Sequence, residues 1–362
     1  MVKNITSEQL NAILGTKDEP VLLDVREPEE VESWRMPNSI NIPLSQLEQR
    51  INEIPKNRKV LTICASGRRS SLVAKFLSDR GFEVINLIGG MHAWACSYDV
   101  AELSQNDLGL IQIRRRGKGC LSYLIYSGDE AFAIDPSNQV SIYLDLAQEK
   151  NLQITKIFDT HLHADHVSGV RKLAEKTGAK IYLNPYDDFH FDYSALSDEQ
   201  TFSLGGSVEF KVIAMHAPGH TKGSTVFTVS NDFAMTGDVL FIDGVGRPDL
   251  AEKAREFAEN LYDSLANKIL TLPDELKIFP AHYSVEFPIK PHQLIYETLG
   301  NLKAKLKVLS LSKSDFINWA VSNVSKRPPN YQKIIHINMG KSALNDEEIL
   351  NLEAGPNRCA VG

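Results

Sequence analysis

The stretch THLHADHVSG, residues 160–169, contains three histidines and one aspartate within six consecutive positions. It follows the apolar run KIFDT and precedes a helical pattern in which Val167, Val170 and Leu173 face inward. This pattern predicts a loop between a strand and a helix at a sheet edge, where ligand sites occur in open α/β sheets. Imidazole and carboxylate groups are the usual protein ligands of zinc and non-haem iron, so the loop is predicted to hold a metal.

A metal site needs donors from several segments, and three later stretches supply them at the ends of apolar strands. The donors are His220 in APGHTKGS, Asp238 in MTGDVLF and His282 in FPAHYS. All three are expected at the same sheet edge as residues 160–169. The other histidines lack such company and are expected to be structural: His92, His190, His216, His292 and His336.

The composition is that of a folded protein, because the 362 residues are 43% apolar and 23% charged, and the length suits two domains. A net charge of −7 and a short basic cluster, Arg114–Arg116 with Lys118, argue against nucleic-acid binding. No stretch has the length of a membrane span, and residues 1–10 do not resemble a signal peptide. Four widely separated cysteines are typical of a reducing compartment, so a cytoplasmic location is predicted.

The first hundred residues are predicted to alternate strands with helices. The runs VLLDV, SINIPL, VLTIC and VINLIG predict buried parallel strands. Between the last two runs, one helical face is predicted to carry Leu72, Val73, Phe76 and Leu77. Polarity rises over residues 98–108, which predicts a boundary between domains at 1–100 and 101–362.

The second domain is predicted to be a layered α/β structure. Its helices include residues 254–269, and a further helix is expected at YQKIIHINMG, before a polar tail that ends in AGPNRCAVG. Its predicted strands are CLSYLIYS, AFAIDP, KIFDT, KIYLNP, VEFKVIAMHAP, STVFTV and KIFPAH.

The series HxHxDH, His220, Asp238 and His282 resembles the metallo-β-lactamase superfamily over most of residues 108–300. That resemblance implies an αββα sandwich with its metal at the sheet edge. Within the superfamily, TGDVLFIDGVGRPDL is similar to the persulfide dioxygenases, and so is the closing PNRC with Cys359. The family often has His-Asp-Tyr where this chain has His282, Tyr283 and Ser284. The element shared with the persulfide dioxygenases after the metal aspartate is Gly246, Arg247, Pro248 and Asp249.

The resemblance to persulfide dioxygenases implies one Fe(II) per chain, held by His161, His220 and Asp238, with open positions for substrate and O2. Arg247 and Tyr283 are then candidates for substrate binding. The groups expected behind the ligands, or around a second metal, are His163, Asp165, His166 and His282. A glyoxalase II-like alternative has two zinc ions on all five of these histidines with Asp165 and Asp238, and hydrolyses a thioester.

The stretch ICASGRRSS places Cys64 at a strand end, before a glycine-containing loop and a helix. Loop amides and the positive end of the helix dipole stabilise an anion, so Cys64 is predicted to be a nucleophilic thiolate. Arg68 and Arg69 would attract an anionic sulfur donor such as thiosulfate. Two other segments, LLDVREPEEVESWRMPNSINIPL and LIGGMHAW, resemble the rhodanese family, and the likeness covers residues 5–97. It implies a rhodanese-like α/β domain with a parallel sheet.

Two details of the rhodanese resemblance concern structure rather than chemistry. Asp24 and Arg26 fit the structural ion pair of the family. The usual Gly-His-Ile is replaced by Trp34, Arg35 and Met36, which is expected to affect packing. Among the other cysteines, packing roles are predicted for Cys96 and Cys120, and exposure to oxidation for Cys359.

Together the two resemblances imply a bifunctional enzyme of sulfur metabolism. The iron domain would oxidise glutathione persulfide, or a similar thiol persulfide, with O2 to sulfite and thiol. Cys64 would transfer sulfane sulfur between thiosulfate or a persulfide and a thiol or sulfite. The alternatives are a two-zinc thioester hydrolase with a regulatory or docking rhodanese domain, and a binding or sensing module. A homodimer is possible, since superfamily relatives are often dimers.

Overall fold

The computed structural model describes residues 2–205, 210–248, 253–284, 290–324, 330–353, 355 and 360–361. The first sheet has the strands β1 (Lys3–Ile5), β2 (Val21–Asp24), β3 (Ile40–Asn41), β4 (Val60–Ile63) and β5 (Val84–Leu87). The helices around it are α1 (Ser7–Asn11), α2 (Pro28–Ser33), α3 (Leu47–Arg50), α4 (Arg68–Ser78) and α5 (Gly90–Ala95). Short 3-10 turns cover Leu44–Gln46 and Ile51–Glu53.

The first sheet is entirely parallel, in the order β1-β5-β4-β2-β3, which confirms the predicted parallel sheet. Its central strands are apolar on both faces because helices cover both sides. The predicted face of α4 is wrong at Leu72, which is 66% exposed. A helix turns by about 100° per residue, so the buried face that contains Val73 and Leu77 also takes Ala74 and leaves Leu72 outside.

The second sheet contains seven strands in the order β12-β11-β10-β9-β8-β7-β6. The pairs from β6 to β9 are antiparallel, and those from β9 to β12 are parallel. Its strands are β6 (Tyr98–Gln105), β7 (Leu108–Arg115), β8 (Cys120–Ser127), β9 (Glu130–Ile134), β10 (Gln153–Phe158), β11 (Lys180–Leu183) and β12 (Ser194–Ala195).

The third sheet contains six strands in the order β13-β14-β15-β16-β18-β19. Its strands are β13 (Gln200–Leu204), β14 (Phe210–His216), β15 (Thr225–Val229), β16 (Phe233–Gly237), β18 (Lys277–Pro280) and β19 (Glu297–Thr298). A separate antiparallel pair joins β17 (Val245–Gly246) to β20 (Ala360–Val361). Strands β14, β16 and β18 run in the same direction, so their carboxyl ends lie at one edge.

The second and third sheets pack face to face through an apolar layer. Phe158 of β10 and Phe227 of β15 meet in this layer with ring centroids 4.9 Å apart. Helices α6 and α7 cover the outer face of the second sheet, and α8, α9 and α10 cover that of the third. This arrangement confirms the predicted αββα sandwich. The helices are α6 (Ser141–Glu149), α7 (Val170–Thr177), α8 (Ala254–Ser264), α9 (Leu299–Lys305), α10 (Lys313–Ser322), α11 (Tyr331–Asn338) and α12 (Asp346–Leu352).

The region of the predicted boundary, residues 98–108, contains a strand of the second sheet. Residues 98–105 form β6, which pairs with β7 along its whole length and forms the edge of the second sheet. The segment is polar because an edge strand exposes part of its surface, and its outer positions are half-buried or exposed. The domain limits at residue 100 stay a prediction. Among the described residues, no helix has the length and apolarity needed to cross a membrane.

Candidate metal centre and cysteine loop

Three buried side chains from three segments converge at the sheet edge: His161 after β10, His220 after β14 and Asp238 after β16. The Nε2 atom of His161 lies 3.6 Å from Oδ2 of Asp238, and the Nε2 atom of His220 lies 3.4 Å from it. None of these three atoms has a hydrogen-bond partner in the described part of the chain. Buried polar atoms are rarely left unpaired, so three unpaired donors facing one point fit a metal ion.

Hydrogen bonds on the far side of each imidazole orient it toward this point. Nδ1 of His161 lies 2.9 Å from the hydroxyl oxygen of Thr160, which itself donates to a carboxylate oxygen of Asp135. That hydroxyl therefore accepts the Nδ1 proton. Nδ1 of His220 donates to the carbonyl oxygen of Arg247 at 3.0 Å. With Nδ1 protonated in both rings, each Nε2 presents a lone pair, as a metal ligand must.

The charges of the three groups suit metal binding at neutral pH. Burial lowers the pKa of His161 and of His220 below the ordinary value, which keeps both imidazoles neutral. Burial opposes ionisation of Asp238, but the adjacent His282 outweighs this effect and holds the pKa of Asp238 below its ordinary range. The site thus offers two neutral nitrogen atoms and one anionic oxygen, a ligand set that suits non-haem iron and also zinc.

A second donor set lies beside the first and consists of Cys120, Asp165, His166 and His282. Its members are bonded to one another. Asp165 contacts His282 Nε2 at 2.8 Å, His166 Nδ1 at 3.0 Å and the Cys120 thiol at 3.3 Å. His282 also contacts Asp238 through Nδ1 at 2.6 Å, so it links the two sets.

His163 belongs to neither set and turns toward two carboxylates. Its Nε2 lies 3.2 Å from Asp135 and 3.6 Å from Asp159. These neighbours outweigh burial and hold the pKa of His163 well above its ordinary value. Its Nδ1 has no hydrogen-bond partner within the described residues. The structure therefore groups His163 with the two carboxylates, next to His161, with ring centroids 4.2 Å apart.

The sequence pattern missed Cys120, Asp135 and Asp159 as members of this region. Asp135 and Asp159 each follow a strand, β9 and β10, so the strand-end rule that selected Asp238 also applies to them. Cys120 begins β8 and forms an isolated bridge with His282, a long-range pairing that local sequence does not reveal. The packing role predicted for Cys120 is therefore incomplete.

Arg247 is buried, and its carbonyl oxygen orients His220. The preceding Gly246 allows this approach, because a Cβ atom there would lie 1.9 Å from the carbonyl oxygen of Asp238 and 3.1 Å from the Cβ of His220. Substrate binding by the Arg247 side chain stays a prediction. Asp249, the last residue of the same element, lies outside the described residues.

Tyr283 is buried in the layer between the two sheets. Its backbone N–H donates to the carbonyl oxygen of Gly119 at 3.0 Å, which extends the bridge between Cys120 and His282. Burial raises the pKa of its phenol above the ordinary value. A role in substrate binding stays a prediction for this residue, and Cys359 lies outside the described residues.

In the first domain, Cys64 follows β4 and faces the loop that leads into α4. Its sulfur accepts a hydrogen bond from the Gly67 N–H at 3.1 Å. Burial opposes ionisation, but the Ser70 side chain and the amides of Ser70, Ser66 and Gly67 outweigh it and lower the pKa of the Cys64 thiol. Gly90 has φ +56° and lies against this loop, and a Cβ atom there would be 2.1 Å from the Cys64 carbonyl oxygen.

The two arginines of the loop differ in their surroundings. Arg69 makes two hydrogen bonds of 2.8 Å to the Glu30 carboxylate, which hold the pKa of Glu30 at about 2. Arg68 is exposed and makes no hydrogen bond or ion pair with the described residues. Arg68 is therefore the available cation at a cavity of about 830 Å³, which is also lined by Ser66, Gly67, Leu72 and Asn86.

The structural ion pair predicted between Asp24 and Arg26 is confirmed, with a shortest N···O distance of 2.7 Å. Trp34, one of the residues that depart from the rhodanese pattern, donates its indole N–H to the carbonyl oxygen of Gly117 at 2.9 Å. The replacement of the usual family residue by Trp34 therefore affects packing, as expected. The hydrogen bond from Trp34 to Gly117 joins the first domain to the second.

Replacing Ser70 with alanine is expected to raise the pKa of Cys64, because one group that stabilises the thiolate is removed. At pH values below the pKa of Cys64 in the wild-type protein, alkylation of Cys64 by iodoacetamide should be roughly tenfold slower in Ser70→Ala than in wild type. The reason is that a hydrogen bond to a charged group contributes about 1.5 kcal/mol. Well above that pKa, both proteins should react equally fast. The measurement is the alkylation rate against pH, with the exposed Ser71→Ala as control. An unchanged profile in Ser70→Ala would show that the hydroxyl does not tune the thiol.

The fold and the converging donors define a two-domain, metal-binding α/β protein of the hydrolase or oxidoreductase type. The metallo-beta-lactamase superfamily model matches residues 115–282, and the rhodanese-like domain model matches residues 6–96. The chain thus combines a rhodanese-like domain with a metallo-β-lactamase domain.

Three similar proteins each cover between 44% and 67% of this chain. Hydroxyacylglutathione hydrolase of Francisella tularensis subsp. novicida is 36% identical over 162 residues, which are 44% of this chain and 61% of that protein. A metallo-beta-lactamase from Staphylococcus aureus is similar in structure, with a TM-score of 0.60 and 27% identity over 67% of this chain and 75% of that one. ETHE1 from Myxococcus xanthus has a TM-score of 0.56 and 25% identity over 67% of this chain and 99% of that one.

Proposed function

We propose that the second domain is a persulfide dioxygenase that uses one Fe(II), and that the first domain is a sulfurtransferase that uses Cys64. Glutathione persulfide, or a similar thiol persulfide, reacts with O2 and water to give the thiol, sulfite and two protons. The proposal is supported by the sequence likeness to persulfide dioxygenases, and the structural likeness to ETHE1 is compatible with it.

The observation that carries the proposal is the contrast between the two donor sets. The facing atoms of His161, His220 and Asp238 lack hydrogen-bond partners in the described part of the chain. In the second set, Asp165 and His282 are bonded to each other and to their neighbours. His161, His220 and Asp238 would hold one Fe(II) ion, which would supply the redox chemistry for the reaction of a persulfide with O2.

The residues around the iron ligands have defined supporting roles in this proposal. Thr160 and the Arg247 carbonyl hold the imidazoles of His161 and His220 in the tautomer that binds metal. His282 orients Asp238 through its 2.6 Å contact, which leaves Oδ2 of Asp238 directed at the site. Burial of the site keeps bulk water away from the reacting sulfur.

Sulfur transfer in the first domain proceeds through a covalent step on Cys64. The thiolate attacks the outer sulfur of thiosulfate, an S–S bond forms, and the S–S bond of thiosulfate breaks with sulfite as the leaving group. The loop amides that stabilise the thiolate can also stabilise the resulting persulfide anion. An acceptor thiolate then takes the outer sulfur and restores Cys64. The same steps run in reverse when sulfite accepts sulfur from a persulfide.

One observation favours a second candidate, the two-zinc thioester hydrolase. Nδ1 of His163 is buried and unpaired in the described part of the chain, so it is a further possible ligand beside His161. The likeness to hydroxyacylglutathione hydrolase fits this candidate equally well. In it, the two donor sets would hold two zinc ions, which would supply the Lewis-acid chemistry for hydrolysis of a thioester.

Metal content and O2 uptake separate these two candidates. The full chain, purified without oxygen, is expected to hold one iron and to consume O2 only when glutathione persulfide is added. Metal analysis and an oxygen electrode measure both quantities, and sulfite should form in step with O2 loss. Two zinc ions with hydrolysis of S-lactoylglutathione and no O2 uptake would overturn the dioxygenase proposal.

A further inference from the structure

Two helices beyond the sandwich contact the metal loop from behind through buried polar side chains. Asn338 ends α11 and is 5% exposed, and Glu353 follows α12 and is 4% exposed. The loop between β10 and α7 has few backbone partners in the sheets, yet its buried N–H and C=O groups need hydrogen bonds. The two helices supply several of them.

Asn338 uses both ends of its amide on the backbone around Asp165. Its Nδ2 donates to the carbonyl oxygens of His163 and His166, at 2.9 and 2.8 Å. Its Oδ1 accepts from the N–H of Ser168 at 2.9 Å. One side chain thus fixes the backbone on both sides of Asp165, and only an amide supplies this combination of two donors and one acceptor.

Glu353 holds the next residue of the loop and connects it to the first domain. One of its carboxylate oxygens accepts from the Val167 N–H, and the other pairs with Arg115, both at 2.5 Å. Arg115 is also buried, and its Nε donates to the carbonyl oxygen of Ala95 in α5 of the first domain. Both buried charges are paired, so the contact is a specific link between the loop, α12 and α5.

Apolar packing reinforces the same contact. Val167 lies in a small apolar cluster with residues of both helices, Ile334, Ile337, Ile349 and Leu352. The side chain that follows His166 is therefore enclosed by α11 and α12. A loop held by two polar anchors and one apolar contact has little freedom to move Asp165, whose carboxylate orients His282 and through it the metal ligand Asp238.

We propose that Asn338 and Glu353 are positioning residues of the metal centre, which fix the loop backbone at residues 163–168 before a metal binds. The inference rests on the metal centre of the proposed function and not on the identity of its metal or substrate. It gives the C-terminal helices a role in metal retention, and through Arg115 it connects that role to the docking of the first domain.

The test compares Asn338→Asp with wild type as full-length protein loaded with Zn²⁺ or, without oxygen, with Fe²⁺. Asp has nearly the same shape but cannot donate to the two carbonyl oxygens. Loss of groups that orient metal ligands typically costs about 10- to 100-fold in metal affinity, so release of the metal to a chelator should be faster by about that factor. The matched control is Asn323→Asp, because Asn323 is exposed at the end of α10 and, among the described residues, its side chain bonds to the Trp319 carbonyl oxygen alone.

Two further readouts separate positioning from a general loss of structure. Far-UV circular dichroism and the alkylation rate of Cys64 should match wild type in Asn338→Asp. Hydrogen exchange at the amide of Ser168 should be slow in wild type and faster in the variant, because the loop loses the two hydrogen bonds that Asn338 donates to the His163 and His166 carbonyl oxygens, although a carboxylate still accepts from the Ser168 amide.

Wild-type metal release from folded Asn338→Asp would overturn the proposal. If that variant does not fold, metal release from Glu353→Gln is measured against that from Glu347→Gln, which alters an exposed residue of α12, the helix that Glu353 follows. Rapid exchange of the Val167 and Ser168 amides in the wild-type chain would also overturn it. Failure of the dioxygenase proposal is distinguishable, since it shows as absent O2 uptake while release of Zn²⁺ is measured independently.

Discussion

Replacing His220 with alanine is expected to leave the full-length protein without its bound iron and without O2 uptake. His220 supplies one of the three unpaired atoms that face one point, and the Arg247 carbonyl oxygen holds its ring there, so its loss leaves two ligands, His161 and Asp238, in this set. Metal-assisted charge stabilisation contributes several kcal/mol, so O2 uptake with glutathione persulfide should fall by roughly a thousandfold or more. Metal analysis and an oxygen electrode measure the two losses.

His216→Ala is the matched control for this variant. His216 lies four positions earlier, at the end of β14, where its ring stacks on Tyr186 and contacts the Lys222 carbonyl oxygen. It is outside both donor sets, so iron content and O2 uptake should equal those of wild type. If His220→Ala kept its iron and its O2 uptake, the three donors would not be the metal site.

The chemistry-bearing residues could be predicted where they follow strands. Strands β14, β16 and β18 share one direction, so a rule about carboxyl ends brings His220, Asp238 and His282 to one edge without knowledge of the packing. The same rule applied to AFAIDP and KIFDT would have added Asp135 and Asp159. The sequence alone therefore contains the information that predicts Asp135 and Asp159 at this edge.

Other features depend on contacts between distant segments and have no local signature. Cys120 enters the second donor set through its bridge to His282, 162 positions away. Glu353 lies in the predicted polar tail and Asn338 in the helix predicted before it, yet both are buried against the metal loop. Polar residues are usually exposed, so no local pattern at Asn338 or Glu353 predicts that they are buried.

Contacts with distant segments also decide whether the basic cluster at residues 114–118 is exposed. In sequence it is a short positive patch, but Arg114, Arg115 and Lys118 are buried and bonded within the protein. Gly117 sits among them and lies so close to α5 that a Cβ atom would be 2.5 Å from the Trp94 carbonyl oxygen. With the Trp34 contact to Gly117, this hairpin joins the two domains, so these buried charges are paired with groups of the protein itself.

Replacing Cys64 with serine is expected to abolish transfer of sulfur from thiosulfate to a thiol while leaving O2 uptake close to wild type. The serine hydroxyl is not ionised at neutral pH and cannot form the persulfide, so transfer should fall by roughly a thousandfold or more, as for the loss of other covalent nucleophiles. Cys64 lies in the first domain and is outside the donor sets of the metal centre, so iron binding should not change. Thiosulfate-dependent persulfide formation and O2 uptake measure the two activities on one preparation.

Cys96→Ser is the matched control in the same domain. Burial raises the pKa of Cys96, and its thiol donates to the His92 carbonyl oxygen, so it should be a poor nucleophile and its loss should leave sulfur transfer intact. Persistent transfer in Cys64→Ser would remove Cys64 from the proposed step. A parallel loss of O2 uptake in Cys64→Ser would instead mean that the two sites depend on each other, which the link through Arg115 and Glu353 would then have to explain.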